Sequence, residues 1–114
     1  MKLVVLKFGG TSIANVSLIK KIASKVKKEV NKDYKVIVVV SAMAGVTNNF
    51  IDLIKSTSTS PPYSEYDVVL SSGEQVTSAL LAIALDNLGI KARSWLGWQV
   101  PIMSDFSYGK AVIE

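Results

Sequence analysis

Val36-Ile37-Val38-Val39-Val40 is a run of five apolar residues, every one β-branched. Such side chains are stiff at χ1 and fit the pleated surface of a strand. The run shows no alternation of apolar and polar residues, so it predicts a strand buried on both faces. That is the pattern of a parallel sheet with helices on either side. Parallel strands need long crossovers, so the flanking sequence must supply those helices. Leu3–Phe8 is a second run of the same kind, broken only by Lys7.

Between the two runs, apolar residues fall at Val16, Ile19, Ile22, Ala23, Val26 and Val30. From Asn15 on this is helical spacing, with Lys20, Lys21, Lys25, Lys27 and Lys28 mostly on the opposite, solvated face. Asn31-Lys32-Asp33 ends the helix. After the central strand, Ser41–Thr47 reads as a loop of small residues and Asn48–Lys55 as a short helix. Ser56–Ser60 with Pro61-Pro62 is the only linker-like stretch. Tyr66–Ser72 fits either a strand or a helical turn. Glu74–Leu88 reads as a helix with Val76, Ala79, Leu80, Ile83, Ala84 and Leu88 on one face and Leu81 and Leu85 beside it, and Gly89 is placed to terminate it. Lys91–Leu96 reads as a third strand, Gly97–Ser107 as a loop, and Ala111–Glu114 as the start of another strand. The expected fold is α/β: an open, mostly parallel sheet sandwiched by helices.

Composition narrows the chemistry. A length of 114 residues allows one domain. With no His and no Cys there is no imidazole base, no thiol nucleophile, no disulfide and no zinc ribbon. Catalysis must use Lys, Arg, Asp, Glu, Ser, Thr or backbone amides. The net charge of +4 comes largely from lysines gathered at 20–35, without the interleaved aromatics of a nucleic-acid surface. The longest uncharged apolar run, Val36–Val46, is about half the roughly twenty residues that a membrane span needs. No targeting segment is recognisable. The expectation is a cytoplasmic protein with no nucleic-acid and no membrane partner.

In open α/β sheets, ligands bind outside the carboxyl ends of the strands. Three small-residue segments are expected there. In Lys7-Phe8-Gly9-Gly10-Thr11-Ser12, the glycines permit unusual backbone conformations and close approach, and their amides beside a helix start can hold an anion. The alternative is a plain turn with Lys7 reaching solvent. In Ser41–Asn48, hydroxyls and an amide can bond a polar ligand, or Thr47 or Asn48 can simply cap a helix. In Ser71-Ser72-Gly73-Glu74, Glu74 near a helix N-terminus can cap it or accept a bond from a ligand ammonium. Trp95 and Trp98, flanking Gly97, can stack on a ligand or serve packing.

Taken together, Lys-Phe-Gly-Gly-Thr-Ser at 7–12, Val-Val-Val-Ser-Ala-Met-Ala-Gly-Val-Thr-Asn at 38–48 and Leu-Ser-Ser-Gly-Glu-Gln at 70–75 resemble the aspartate kinases of the amino-acid kinase superfamily. Residues 88–94 and 108–111 also fit, so the resemblance runs the length of the chain. It implies phosphoryl transfer from MgATP to the side-chain carboxylate of L-aspartate. That nucleophile is already ionised, so positioning and charge neutralisation suffice. The resemblance implies that Lys7 neutralises the transferring phosphate and that Gly9, Gly10 and Ser12 form the phosphate-side loop. It places Ser41 at the junction of phosphate and substrate, Thr47 against aspartate and Glu74 on the substrate amino group. No protein metal ligand is implied, and Mg²⁺ comes with ATP.

Family members also carry a Gly-Arg-Gly-Gly-Ser-Asp loop, a nucleoside-binding half and, in most, ACT regulatory domains; residues 1–114 contain none of these. The expectation is therefore a partial amino-acid kinase domain, the substrate-side N-terminal half, with little or no activity alone. One alternative is a non-catalytic half-domain that self-associates or binds a partner through an exposed sheet edge. Another is a related kinase acting on glutamate, acetylglutamate, carbamate or UMP, which the 41–48 and 72–74 segments argue against.

Overall fold

The computed structural model describes residues 1–114. Strand β1 (Leu3–Phe8) leads through a four-residue 3₁₀ turn (Gly10–Ile13) into helix α1 (Val16–Val30). Strand β2 (Lys35–Val40), helix α2 (Val46–Thr57) and the long helix α3 (Tyr63–Asn87) follow. β1 and β2 pair in parallel, with Leu3 opposite Lys35 and Phe8 opposite Val40. The expected α/β class and parallel pairing are both present.

The local chemistry accounts for the boundaries. Asn15 caps α1, its side chain accepting from the Leu18 amide at 2.9 Å. Asp33 takes a left-handed conformation (φ 61°), which turns the chain from α1 into β2. Gly89 does the same after α3 (φ 79°). The Ile90 amide bonds the Leu85 carbonyl and the Gly89 amide bonds Asp86, a Schellman closure at the expected glycine.

The core joins the two helices to one face of the sheet. Ile19, Ile22, Ala23 and Val26 of α1 meet Leu81 and Leu85 of α3, with Leu6, Phe8, Val36, Val38 and Val40 packed against them. Full burial of each larger aliphatic side chain contributes about 1.5–3 kcal/mol. Only 11 of the 114 residues are buried, so this core is one-sided. The other face of the sheet is open: Leu3, Val5, Ile37 and Val39 are each at least 45% exposed. The unalternating β2 sequence predicted burial on both faces, and within these residues helices cover one.

Four further expectations change. Residues 63–87 form one continuous helix, so the 66–72 ambiguity resolves as helix and 71–74 is not a loop. The buried stripe of α3 is Gly73, Thr77, Leu81 and Leu85, while Val76 and Ile83 face outward. Lys91–Leu96 forms no strand; it borders a groove of about 800 Å³ whose opposite wall is β2 and α3. Ala111–Glu114 contributes only an isolated antiparallel bridge, Ser104 to Ile113.

α3 is 25 residues long, with mean hydropathy 1.5 over its most apolar eighteen. By length and composition alone it is long and apolar enough to cross a membrane. No long uncharged run marks the helix in the sequence, because Glu74 interrupts the stretch. Such all-round apolarity also suits a helix that packs on several sides. Here one side, at Leu81 and Leu85, packs on α1.

Candidate functional site at the carboxyl ends of β1 and β2

Parallel pairing delivers the ends of β1 and β2 side by side, Lys7 opposite Val39 and Phe8 opposite Val40. The two following loops therefore start next to each other. Gly10 approaches the second loop closely: a β-carbon there would stand 3.1 Å from the Ala42 carbonyl oxygen. Gly73 approaches the same residue from α3, with a β-carbon there only 2.9 Å from Ala42 Cβ. Ala42, 5% exposed, is thus the point where all three segments meet.

Lys7 lies on the open face of the sheet, exposed, with no hydrogen bond or ion pair from its ammonium within the chain. An unpaired cation at the end of an apolar strand is available to an anion. Gly9 is extended (φ −79°) and a β-carbon there would meet nothing within 4 Å. Neither Gly9 nor Gly10 uses a left-handed conformation, so close approach and not special φ accounts for Gly10. α1 starts at Val16 behind its Asn15 cap, as the spacing from Asn15 predicts. A 3₁₀ turn begins at Gly10 itself, and Ser12 sits in it, exposed, its amide bonding the Gly9 carbonyl at 3.1 Å.

Ser41 follows β2 and is half-buried. Gly45, in the left-handed conformation (φ 83°), is the N-cap of α2 and offers no side chain. Thr47 and Asn48 therefore do not cap; they occupy the first turn. The Val46 amide bonds the Met43 carbonyl and that of Asn49 bonds Gly45, leaving the Thr47 and Asn48 amides without an intrachain acceptor. Free amides at a helix N-terminus favour an anion.

Glu74 sits within α3, not at a helix N-terminus, so the capping reading fails. It is exposed, makes no intrachain hydrogen bond, and borders the groove beside Val40 together with Ser71 and Ser78. Trp95 and Trp98 line the same groove and are exposed, so neither serves core packing; the Arg93 guanidinium lies 3.9 Å from the Trp95 ring centre. Sequence reasoning gave no role to Ala42 or to the groove face of α3. The two close-approach glycines were the signal that pointed to them.

In open α/β sheets ligands bind at the carboxyl edge of the strands, and here that edge carries free amides and an unpaired lysine. The comparisons name the class. Residues 2–110 match the Amino acid kinase family, and the chain belongs to it. It is 53% identical over its whole length to an aspartokinase of Rickettsia felis, and 50% identical over 99% of its length to an aspartate kinase of Stutzerimonas stutzeri. It spans 29% and 27% of those relatives. The fold matches a crystal structure of aspartate kinase from Synechocystis with a TM-score of 0.74 and 41% identity, over 77% of this chain and 15% of that one.

Proposed function

We propose that this chain is the substrate- and phosphate-handling portion of an aspartate kinase, which transfers the γ-phosphoryl group of MgATP to the side-chain carboxylate of L-aspartate. The observation that carries the reading is the convergence of Gly10, Ala42 and Gly73, which gathers the three segments at one edge. Lys7 offers charge to the phosphoryl group in transit. The amides of Gly9 and Gly10, with the hydroxyls of Ser12 and Ser41, face the phosphate side. Thr47 contacts the aspartate, and the Glu74 carboxylate pairs with its ammonium group. No general base is needed, because the attacking carboxylate is ionised at neutral pH. No three His, Cys, Asp or Glu side chains cluster here. The donor set thus suits a Mg²⁺ carried by the ATP phosphates, neutralising them when bound. The setting is the cytoplasm, in a lysine and diaminopimelate branch of amino-acid biosynthesis, with no membrane or nucleic-acid partner.

The test is aspartate-dependent release of ADP. The full reading frame carrying these residues is expected to turn over, and residues 1–114 alone to give little or none. Robust turnover with glutamate and none with aspartate would refute the reading.

A second reading rests on the apolar open face of the sheet, Leu3, Val5, Ile37 and Val39. An uncovered sheet tends to pair with another chain. On this reading residues 1–114 are a non-catalytic unit that self-associates. Sedimentation at high concentration distinguishes it, since a clean monomer counts against association.

A further inference from the structure

We infer that Ala42 and Gly73 are a positioning pair: the single methyl group they share sets the distance between α3, which carries Glu74, and the Ser41–Thr47 loop. This inference rests on the roles proposed above for Glu74, Ser41 and Thr47.

A β-carbon on Gly73 would lie 2.9 Å from Ala42 Cβ, 3.4 Å from Val46 Cγ1 and 3.5 Å from Phe50 Cε2. The first distance is closer than two β-carbons pack, and none of these neighbours is the loose end of a long side chain. Glycine is a poor residue for a helix interior. α3 nevertheless carries one in mid-helix, at the place where it crosses the loop. Gly10 makes a second close approach, 3.1 Å from a β-carbon there to the Ala42 carbonyl oxygen, so the loop is contacted at both the side chain and the backbone of Ala42.

Neither Ala42 nor Gly73 has a polar side chain to offer a substrate. Each acts through its neighbour: Glu74 follows Gly73, and Ser41 precedes Ala42. One added methyl pushes helix and loop apart. One removed lets the loop settle closer or loosen. A purely structural contact would alter stability alone, whereas a spacer alters affinity for the molecule held between helix and loop.

The test moves the methyl group from one side to the other. Four proteins are made in the full reading frame that carries these residues: the parent, Gly73→Ala, Ala42→Gly, and the double variant Ala42→Gly/Gly73→Ala. Gly73→Ala is expected to raise KM for aspartate about tenfold, with a smaller change in KM for ATP. The double variant, which keeps one methyl in the contact, is expected to return to within about threefold of the parent. Ala42→Gly crowds nothing and is expected to raise the same KM about threefold. The inference is overturned if Gly73→Ala lowers the melting temperature but leaves KM for aspartate unchanged, or if the double variant is as impaired as Gly73→Ala. Should Gly73→Ala fail to fold, an unchanged KM in Ala42→Gly overturns it instead. If the parent phosphorylates no aspartate, the functional reading fails separately. The spacing is then read from the backbone amide resonances of Ser41, Thr47 and Glu74. Displacement in Gly73→Ala with recovery in the double variant supports the pair, and unmoved resonances refute it.

Discussion

The Ala42 carbonyl oxygen lies 3.1 Å from the position that a β-carbon on Gly10 would take. Gly10 is therefore a packing requirement between the first two loops, while Gly9 has open space around its α-carbon. Gly10→Ala is expected to cost about 1–3 kcal/mol, because the contacting atom belongs to the backbone and cannot swing aside. Gly9→Ala, at φ −79°, is expected to stay within about 0.5 kcal/mol of the parent. Denaturant melts of the two variants check the contrast; equal losses would contradict it.

Lys27 departs from the solvated lysine face of α1. Its ammonium donates to the Leu88 carbonyl at 3.0 Å, tying α1 to the end of α3, where a cation also suits the helix dipole. Lys27→Met is expected to cost about 1–2 kcal/mol, against less than about 0.5 for Lys28→Met on the exposed side. Equal melting temperatures for the two variants would show that the bond carries no stability.

The parts of the fold legible in the sequence were those set by local pattern. Asn15, the apolar spacing to Val30 and the two β-branched runs each determine structure within a few residues. The 71–74 segment misled, because serines and glycine are commonest in loops. In the helix the Ser71 and Ser72 hydroxyls donate back to the Val68 and Val69 carbonyls at 3.0 and 2.6 Å, and Gly73 answers a contact with a distant residue. Thr77 is buried for a similar reason, bonding the Gly73 carbonyl at 3.1 Å, so a stripe drawn by hydropathy was rotated from the real one. The candidate site was legible as three motifs. Their meeting at Ala42 was not, since no local rule brings residues 10, 42 and 73 together. Lys91–Leu96 has strand composition, but a strand also needs a paired edge, and a groove lies between it and β2.

Asp105 organises the turn near the end of the chain. The Ser107 amide donates to its Oδ1 at 2.9 Å, and this bond holds the carboxyl below the usual carboxylate range. A depressed folded pKa means the contribution is present above the unfolded value, near 4, and is lost as pH falls through the folded value. Hydrogen exchange at the Ser107 amide is therefore expected to quicken, relative to its intrinsic rate, below about pH 4. Asp105→Asn is expected to remove that step. Persistence of the step in the variant would assign it to another group.

Glu74 is exposed and makes no hydrogen bond within the chain, so its removal should not affect folding. Glu74→Gln is expected to leave the melting temperature unchanged. In the full reading frame it should raise KM for aspartate about 10–100-fold, the worth of one hydrogen bond to a charged group, with KM for ATP little altered. A loss of stability without that change in KM would return Glu74 to a structural role.

The most direct measurement traps the acyl phosphate with hydroxylamine, using the full reading frame, MgATP and a panel of acids. Hydroxamate is expected with L-aspartate. Lys7→Ala, whose side chain has no ion-pair partner to lose, is expected to reduce it at least about a hundredfold at unchanged melting temperature. No hydroxamate from aspartate, or an undiminished yield from Lys7→Ala, would contradict the assignment of this site to phosphoryl transfer.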